Sequence, residues 1–131
     1  MKVDFLIPQA MILTSNQRLN PHVKAKKTKA LRQLAESESR GLRGPTPCRV
    51  IAWLGFQDRR RRDAPNWWPT IKALIDGMVD AGVWEDDNST IIQGPDHRIL
   101  DYRCQKGHVY VSIEIGPPEP ARSSFLEHAK S

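Results

Sequence analysis

Cysteine is scarce in this sequence: Cys48 and Cys104 are the whole complement, far apart and without CxxC spacing. Such a pair indicates neither a disulfide framework nor a zinc site. Long apolar runs are also missing, and no stretch approaches the roughly 20 residues that a membrane-spanning helix needs. Residues 1–8 hold one lysine and a short apolar run, without the apolar core and cleavage site of a secretory signal. The expectation is a soluble, cytosolic protein with no membrane partner. The four histidines, His22, His97, His108 and His128, are scattered and suggest no catalytic role. No internal repeat is visible.

What is present fits one domain. A chain of 131 residues can bury a single core but not two. Its 39% hydrophobic and 27% charged residues are ordinary for a globular protein. Twenty Lys+Arg against 15 Asp+Glu leave a net charge of +5, which favours a polyanionic partner.

Residues 3–8 read as a first strand, and 14–21 are polar and turn-rich. A helix is expected over 22–41, carrying Lys24, Lys26, Lys27, Lys29 and Arg32, with Gly41 as its stop. Its apolar stripe is narrow, so one flank stays basic and wet. Residues 44–47 form a loop, and 48–56 read as a buried strand leading straight into an arginine run. Pro65 and Pro69 keep 63–68 from regular helix, while Pro69 suits a first helical position. Ile71, Leu74, Ile75, Met78 and Val79 then fall on one buried helix face, and Gly82 closes that helix. A short strand is expected over 90–92. Segments 98–105 and 108–115 read as a hairpin joined by Lys106-Gly107. From Gly116 the Pro-rich composition suggests a flexible tail over 116–131, beyond a domain of 1–115. The order β-α-β-α-β-β argues for an α/β (α+β) fold, a small mixed sheet with helices packed on it.

The chemistry concentrates in Asp58-Arg59-Arg60-Arg61-Arg62-Asp63 and, one helix later, Glu85-Asp86-Asp87. Consecutive arginines can hold phosphates; carboxylates folded back beside them can hold a divalent metal. The intervening helix is roughly 20 Å long at ~1.5 Å per residue. An extended return over 83–87 covers about 16 Å at ~3.3 Å per residue, so Asp63 and Asp87 can meet near the helix start. Mg²⁺ needs only one or two protein carboxylates besides waters and phosphate oxygens. Lys72 and Asp76, four apart, share a helix face above the same end, where a lysine can steady charge on a phosphate.

Blander readings stand beside each signal. An arginine run is often a solvated or targeting patch. Asp86-Asp87-Asn88 alone is more often a turn than a ligand set, and Lys72 with Asp76 alone is usually a surface pair. Trp53, Trp67, Trp68 and Trp84 are mostly core anchors, although Trp67 or Trp68 could stack on an unpaired base.

Taken together, the run 58–63, Asn66, Lys72-Ala73 with Asp76, and Asp80 to Asp87 resemble the core signature of the RusA family of Holliday junction resolvases. The basic N-terminal segment, with Asn16, Arg18 and Asn20 before it, is similar to that family's N-terminal region. The resemblance implies a small homodimeric nuclease of phage or prophage type that uses Mg²⁺ or Mn²⁺ to make paired nicks in four-way DNA junctions during recombination and repair. It implies Asp63 and Asp87 as metal-binding aspartates with Asp86 adjacent, and Lys72 as the catalytic lysine. Arg59, Arg60, Arg61, Arg62, Asn66, Lys26, Lys27 and Arg18 would contact DNA. One position departs: the family's second acidic ligand, two residues after the first, is Pro65 here, and Asp86, Asp76 or Asn66 would have to substitute. The alternatives are a catalytically weak or inactive branched-DNA-binding protein, a broader flap or branched-DNA nuclease, and a basic RNA-binding module.

Overall fold

The computed structural model describes residues 1–88 and 90–119. In chain order they form β1 (Lys2–Pro8), α1 (Pro21–Glu38), β2 (Cys48–Phe56), α2 (Trp68–Asp80), β3 (Ile92–Arg103) and β4 (His108–Gly116). Single 3₁₀ turns, Gln9–Met11 and Ala64–Trp67, follow β1 and precede α2. The result is a mixed α+β fold, with a four-stranded sheet in the order β1-β4-β2-β3. Among the described residues no helix is long and apolar enough to cross a membrane.

β1 alternates in burial, with Val3, Phe5 and Ile7 inward, which is the period of two expected of a strand with one covered face. Register carries that face across the sheet: Phe5 lies opposite Val111, and Val111 opposite Leu54. Leu31 and Ala35 of α1 and Ile71, Leu74, Ile75 and Met78 of α2 complete one core with these strands. Each large side chain sealed there contributes roughly 1.5–3 kcal/mol. The opposite face, with Asp4, Leu6 and Glu114, is exposed.

Helix ends follow their local chemistry. Asn20 caps α1, its side chain accepting the His22 N–H at 2.8 Å, and Pro21 needs no such acceptor. The helix ends at Glu38, short of the expected boundary, and Gly41 takes φ +80 in the turn beyond it. Past α2, Gly82 takes φ +85 and donates to Val79 O at 2.9 Å, a left-handed exit suited to glycine. The helices meet closely at Gly77, where an added Cβ would lie 2.3 Å from Arg32 O. Beside that contact the Arg32 guanidinium grips Asp80 at 2.9 and 3.1 Å.

The expected hairpin does not form. β3 pairs with β2 in parallel, β4 pairs with β2 antiparallel, and β2 therefore lies between them. The turn at 104–107 crosses the end of β2, with Gly107 at φ +81 as the sequence requires but with a different partner on each side. The cause lies in β2, whose nearly continuous burial suits a central strand with neighbours on both edges. The short strand expected at 90–92 is instead the approach to β3, whose edge position accommodates Pro95. Within the segment expected as a tail, Glu119 donates its N–H at 2.8 Å to the Gln93 side chain. Residues 120–131 of the expected tail lie outside the described residues.

Candidate active site

α2 places Lys72 and Asp76 one turn apart, and the ammonium donates to Asp76 Oδ1 at 2.8 Å. The segment after Gly82 folds back along the helix and brings Asp87 to the same ammonium, a second short ion pair. Two carboxylates from different parts of the chain therefore converge on one cation. Burial works against the Lys72 charge, but the hydrogen bonds to Asp76 and Asp87 outweigh it and raise its pKa above the ordinary value. The Lys72 hydrogen bond in turn holds the Asp87 carboxyl below the usual range, against the opposing effect of burial. This lysine is a fixed positive charge at neutral pH, suited to stabilising an anion and not to taking up a proton.

Asp86 has a different position. Its Oδ1 accepts the Asp87 N–H at 2.7 Å and its Oδ2 the Asn88 side chain at 3.3 Å, so it shapes the turn that presents Asp87. Asp63 stands before the 3₁₀ turn; its carbonyl accepts the Asn66 N–H at 3.0 Å. Its carboxylate is exposed and makes neither an ion pair nor a side-chain hydrogen bond among the described residues. Among those residues no three His, Cys, Asp or Glu side chains stand together as a metal cluster.

The N-terminal segment docks on the start of α2. Buried Thr70 accepts the Leu13 N–H at 2.9 Å and donates to Leu13 O at 2.6 Å, while Ser15 N–H donates to Asn66 O at 2.8 Å. Arg18, exposed in this segment, thus belongs to the same end of the molecule as Asp63. Lys26 is exposed on α1, whereas Lys27 reaches back to Ile12 O at 3.5 Å.

The arginine run divides by role. Arg62 turns inward: it pairs with Asp58 at 2.9 Å, donates to Arg60 O at 3.0 Å, and lies 4.2 Å over the Phe56 ring. Asp58 also accepts the Arg60 N–H, and that bond first, then Arg62, holds its carboxyl below the ordinary range. Arg59, Arg60 and Arg61 are exposed, and among the described residues only Arg59 of these three makes an ion pair, with Asp101 at 3.9 Å. Of the tryptophans, Trp84 is a core residue and Trp67 packs edge-on to Phe56 at 4.9 Å. Trp68 keeps 40% of its surface exposed.

Asp76, which i,i+4 spacing alone marks as a surface partner, proves to be a member of the central cluster. The length of the return segment, read as bringing Asp87 towards Asp63 near the helix start, signalled that Asp87 comes back along α2. The inward turn of Arg62 had no such signal, since the four arginines are identical in type. No family model matches the chain, and no curated protein matches it.

Proposed function

We propose that this chain is a homodimeric endodeoxyribonuclease of RusA type that resolves four-way DNA junctions by paired, metal-dependent nicks. The observation that supports it most is the convergence of Asp76 and Asp87 on Lys72. Two carboxylates around one ammonium leave a surplus negative charge, and the ammonium stands where a cation is favoured. Those donors suit Mg²⁺ or Mn²⁺, which prefer carboxylate oxygen. Asp87 and Asp76 would hold the ion, Asp76 taking the place left by Pro65, with waters and phosphate oxygens as its other ligands. Such an ion, when bound, activates a water and neutralises charge at the phosphate.

The chain's own residues carry the remainder. Lys72 is charged throughout the neutral range and stabilises the negative charge that develops on a scissile phosphate. Arg59, Arg60 and Arg61, with Arg18 and Lys26, offer exposed cations to the backbone. A C2 dimer would present two such sites to a junction of near two-fold symmetry.

Incubating the protein with an end-labelled four-way junction, with and without Mg²⁺, tests this. Symmetric nicked duplexes that appear only with the metal are expected; no cleavage by a protein that binds the junction would refute nuclease activity. A second reading is favoured by Pro65, which stands where the resemblance expects a second acidic ligand. It is a branched-DNA-binding protein with weak or no catalysis, and the same assay separates the two. Light scattering tests the dimer.

A further inference from the structure

Trp67 and Trp68 are neighbours in sequence, yet the fold gives them different surroundings. Trp67 ends the 3₁₀ turn, packs edge-on to Phe56 at 4.9 Å and keeps its indole nitrogen buried. Trp68 opens α2 and keeps 40% of its surface exposed. Single exposed apolar side chains are ordinary on a protein surface. The position of this one gives it meaning.

Trp68 and Lys72 are four apart on α2 and share a helix face, which sets their Cβ atoms about 5–6 Å apart. Lys72 is the ammonium on which Asp76 and Asp87 converge, so the indole stands one turn from that cluster, towards the start of the helix. A second neighbour comes from β3. His97 lies opposite Ala52 in the sheet, on the face that the helices cover, and its ring meets Trp68 edge-on with centroids 5.6 Å apart. His97 Nε2 is buried and has no hydrogen-bond partner among the described residues. Burial lowers the pKa of this imidazole, so at neutral pH it is an uncharged packing partner that steadies the indole. The exposed part of Trp68 is therefore held in place beside the cluster.

One nucleotide advances a DNA strand by about 3.4 Å, so the interval from Lys72 to Trp68 covers one or two nucleotides. A phosphate at Lys72 brings a nearby base of the same strand to the indole. In a continuous duplex that base already has neighbours on both faces. Where strands exchange at a branch, one of its faces is uncovered, and an aromatic ring can cover it.

We infer that Trp68 stacks on the base left uncovered at the branch point of a DNA junction, beside the phosphate that Lys72 faces. The inference rests on the reading of the chain as a branched-DNA enzyme and deepens it. Exposed arginines hold the backbone of any duplex alike, whereas the indole separates a branch from a duplex. Cleavage is not required.

The test measures binding by fluorescence anisotropy in EDTA, on a four-way DNA junction and on a linear duplex with the sequence of its arms. Trp68→Leu should weaken junction binding about 5- to 100-fold, the range for loss of one stacked base. Binding of the duplex should change less than about twofold, which also shows that the variant folds. Trp68→Phe keeps an aromatic ring and should recover most of the loss. Equal losses on junction and duplex would overturn the inference, as would a Trp68→Phe loss equal to that of Trp68→Leu. An RNA junction bound more tightly than the DNA junction would overturn the DNA assignment. Because EDTA removes metal, a junction preference that depends on Trp68 in a protein that never cuts would leave the inference standing and remove the nuclease reading. Junction binding and cleavage at wild-type levels by Trp68→Leu would do the reverse.

Discussion

Two ion pairs of identical spacing, Asp58 with Arg62 and Lys72 with Asp76, have opposite fates in this fold. The first closes on itself. Both members also bond to the chain between and around them, and the guanidinium covers Phe56, so the pair stabilises a loop and leaves little charge to offer. The second is joined by Asp87 from beyond the helix and becomes a node with one carboxylate in excess. Charge satisfied within its own turn shapes the backbone. Charge assembled across segments leaves an unbalanced residue, and that imbalance can bind something else.

The sharpest way to break this contrast is cleavage of a four-way junction by single-turnover kinetics. Asp87→Asn should lower the rate about 10²–10³-fold, the usual cost of one group that stabilises transition-state charge, with junction binding retained. Asp58→Asn should lower it less than about tenfold. Equal losses would mean that both pairs act alike.

Thermal unfolding should reverse the order. Arg62→Ala removes a guanidinium whose side chain is only 14% exposed, and a loss of about 1–2 kcal/mol is expected from its stacking and hydrogen bonds. Lys72→Ala, at 42% exposure, should cost less than about 1 kcal/mol because solvent screens the pair. A larger cost at Lys72 would make the node a structural device.

A third measurement separates inward from outward arginines. Replacing Arg60 and Arg61 together by alanine should reduce the log–log salt slope of DNA binding by about one unit for each phosphate that the protein no longer neutralises. Arg62→Gln should leave the slope nearly unchanged.

The smallest effect is with pH. The folded Asp87 carboxyl titrates below its ordinary value of about 3.9, so its contribution to stability is complete above that value and fades as pH falls through the folded one. Lys72 has the opposite sign: its contribution is complete below about 10.4 and fades as pH rises through its higher folded value. Lys72→Arg should abolish the alkaline limb, because a guanidinium keeps its proton. Denaturant melts between acid and alkaline pH would read both limbs, and an alkaline limb unchanged in Lys72→Arg would assign it elsewhere.

Much of this architecture was legible in the residues. The stripe from Ile71 to Met78 locates α2, and Val109, Val111, Ile113 and Ile115 locate β4, because burial enforces the period of each element. The pairing of β3 was not legible. Lys106-Gly107 is compatible with either a hairpin or a crossing turn, and only the near-continuous burial of β2 argues that a strand sits on each of its edges. The node was half visible, since helical spacing pairs Lys72 with Asp76, while Asp87 depends on how the return segment folds.

The position of β4 has a consequence for how the chain acquires its structure. β1 and β2 do not touch as neighbours; each borders β4, the last of the described strands to be synthesised. Until residues 108–116 leave the ribosome, β1 lacks its partner strand β4, and the pairs it finally makes span a hundred positions or more, such as Lys2 with Glu114. Closing so long a loop is entropically slow. The nascent chain must therefore hold a parallel β2–β3 pair with one edge of β2 open, which is the form most exposed to mispairing with another chain. Sheet completion is a late and collective event, and deleting the last strand would leave β1 and the open edge of β2 without a partner.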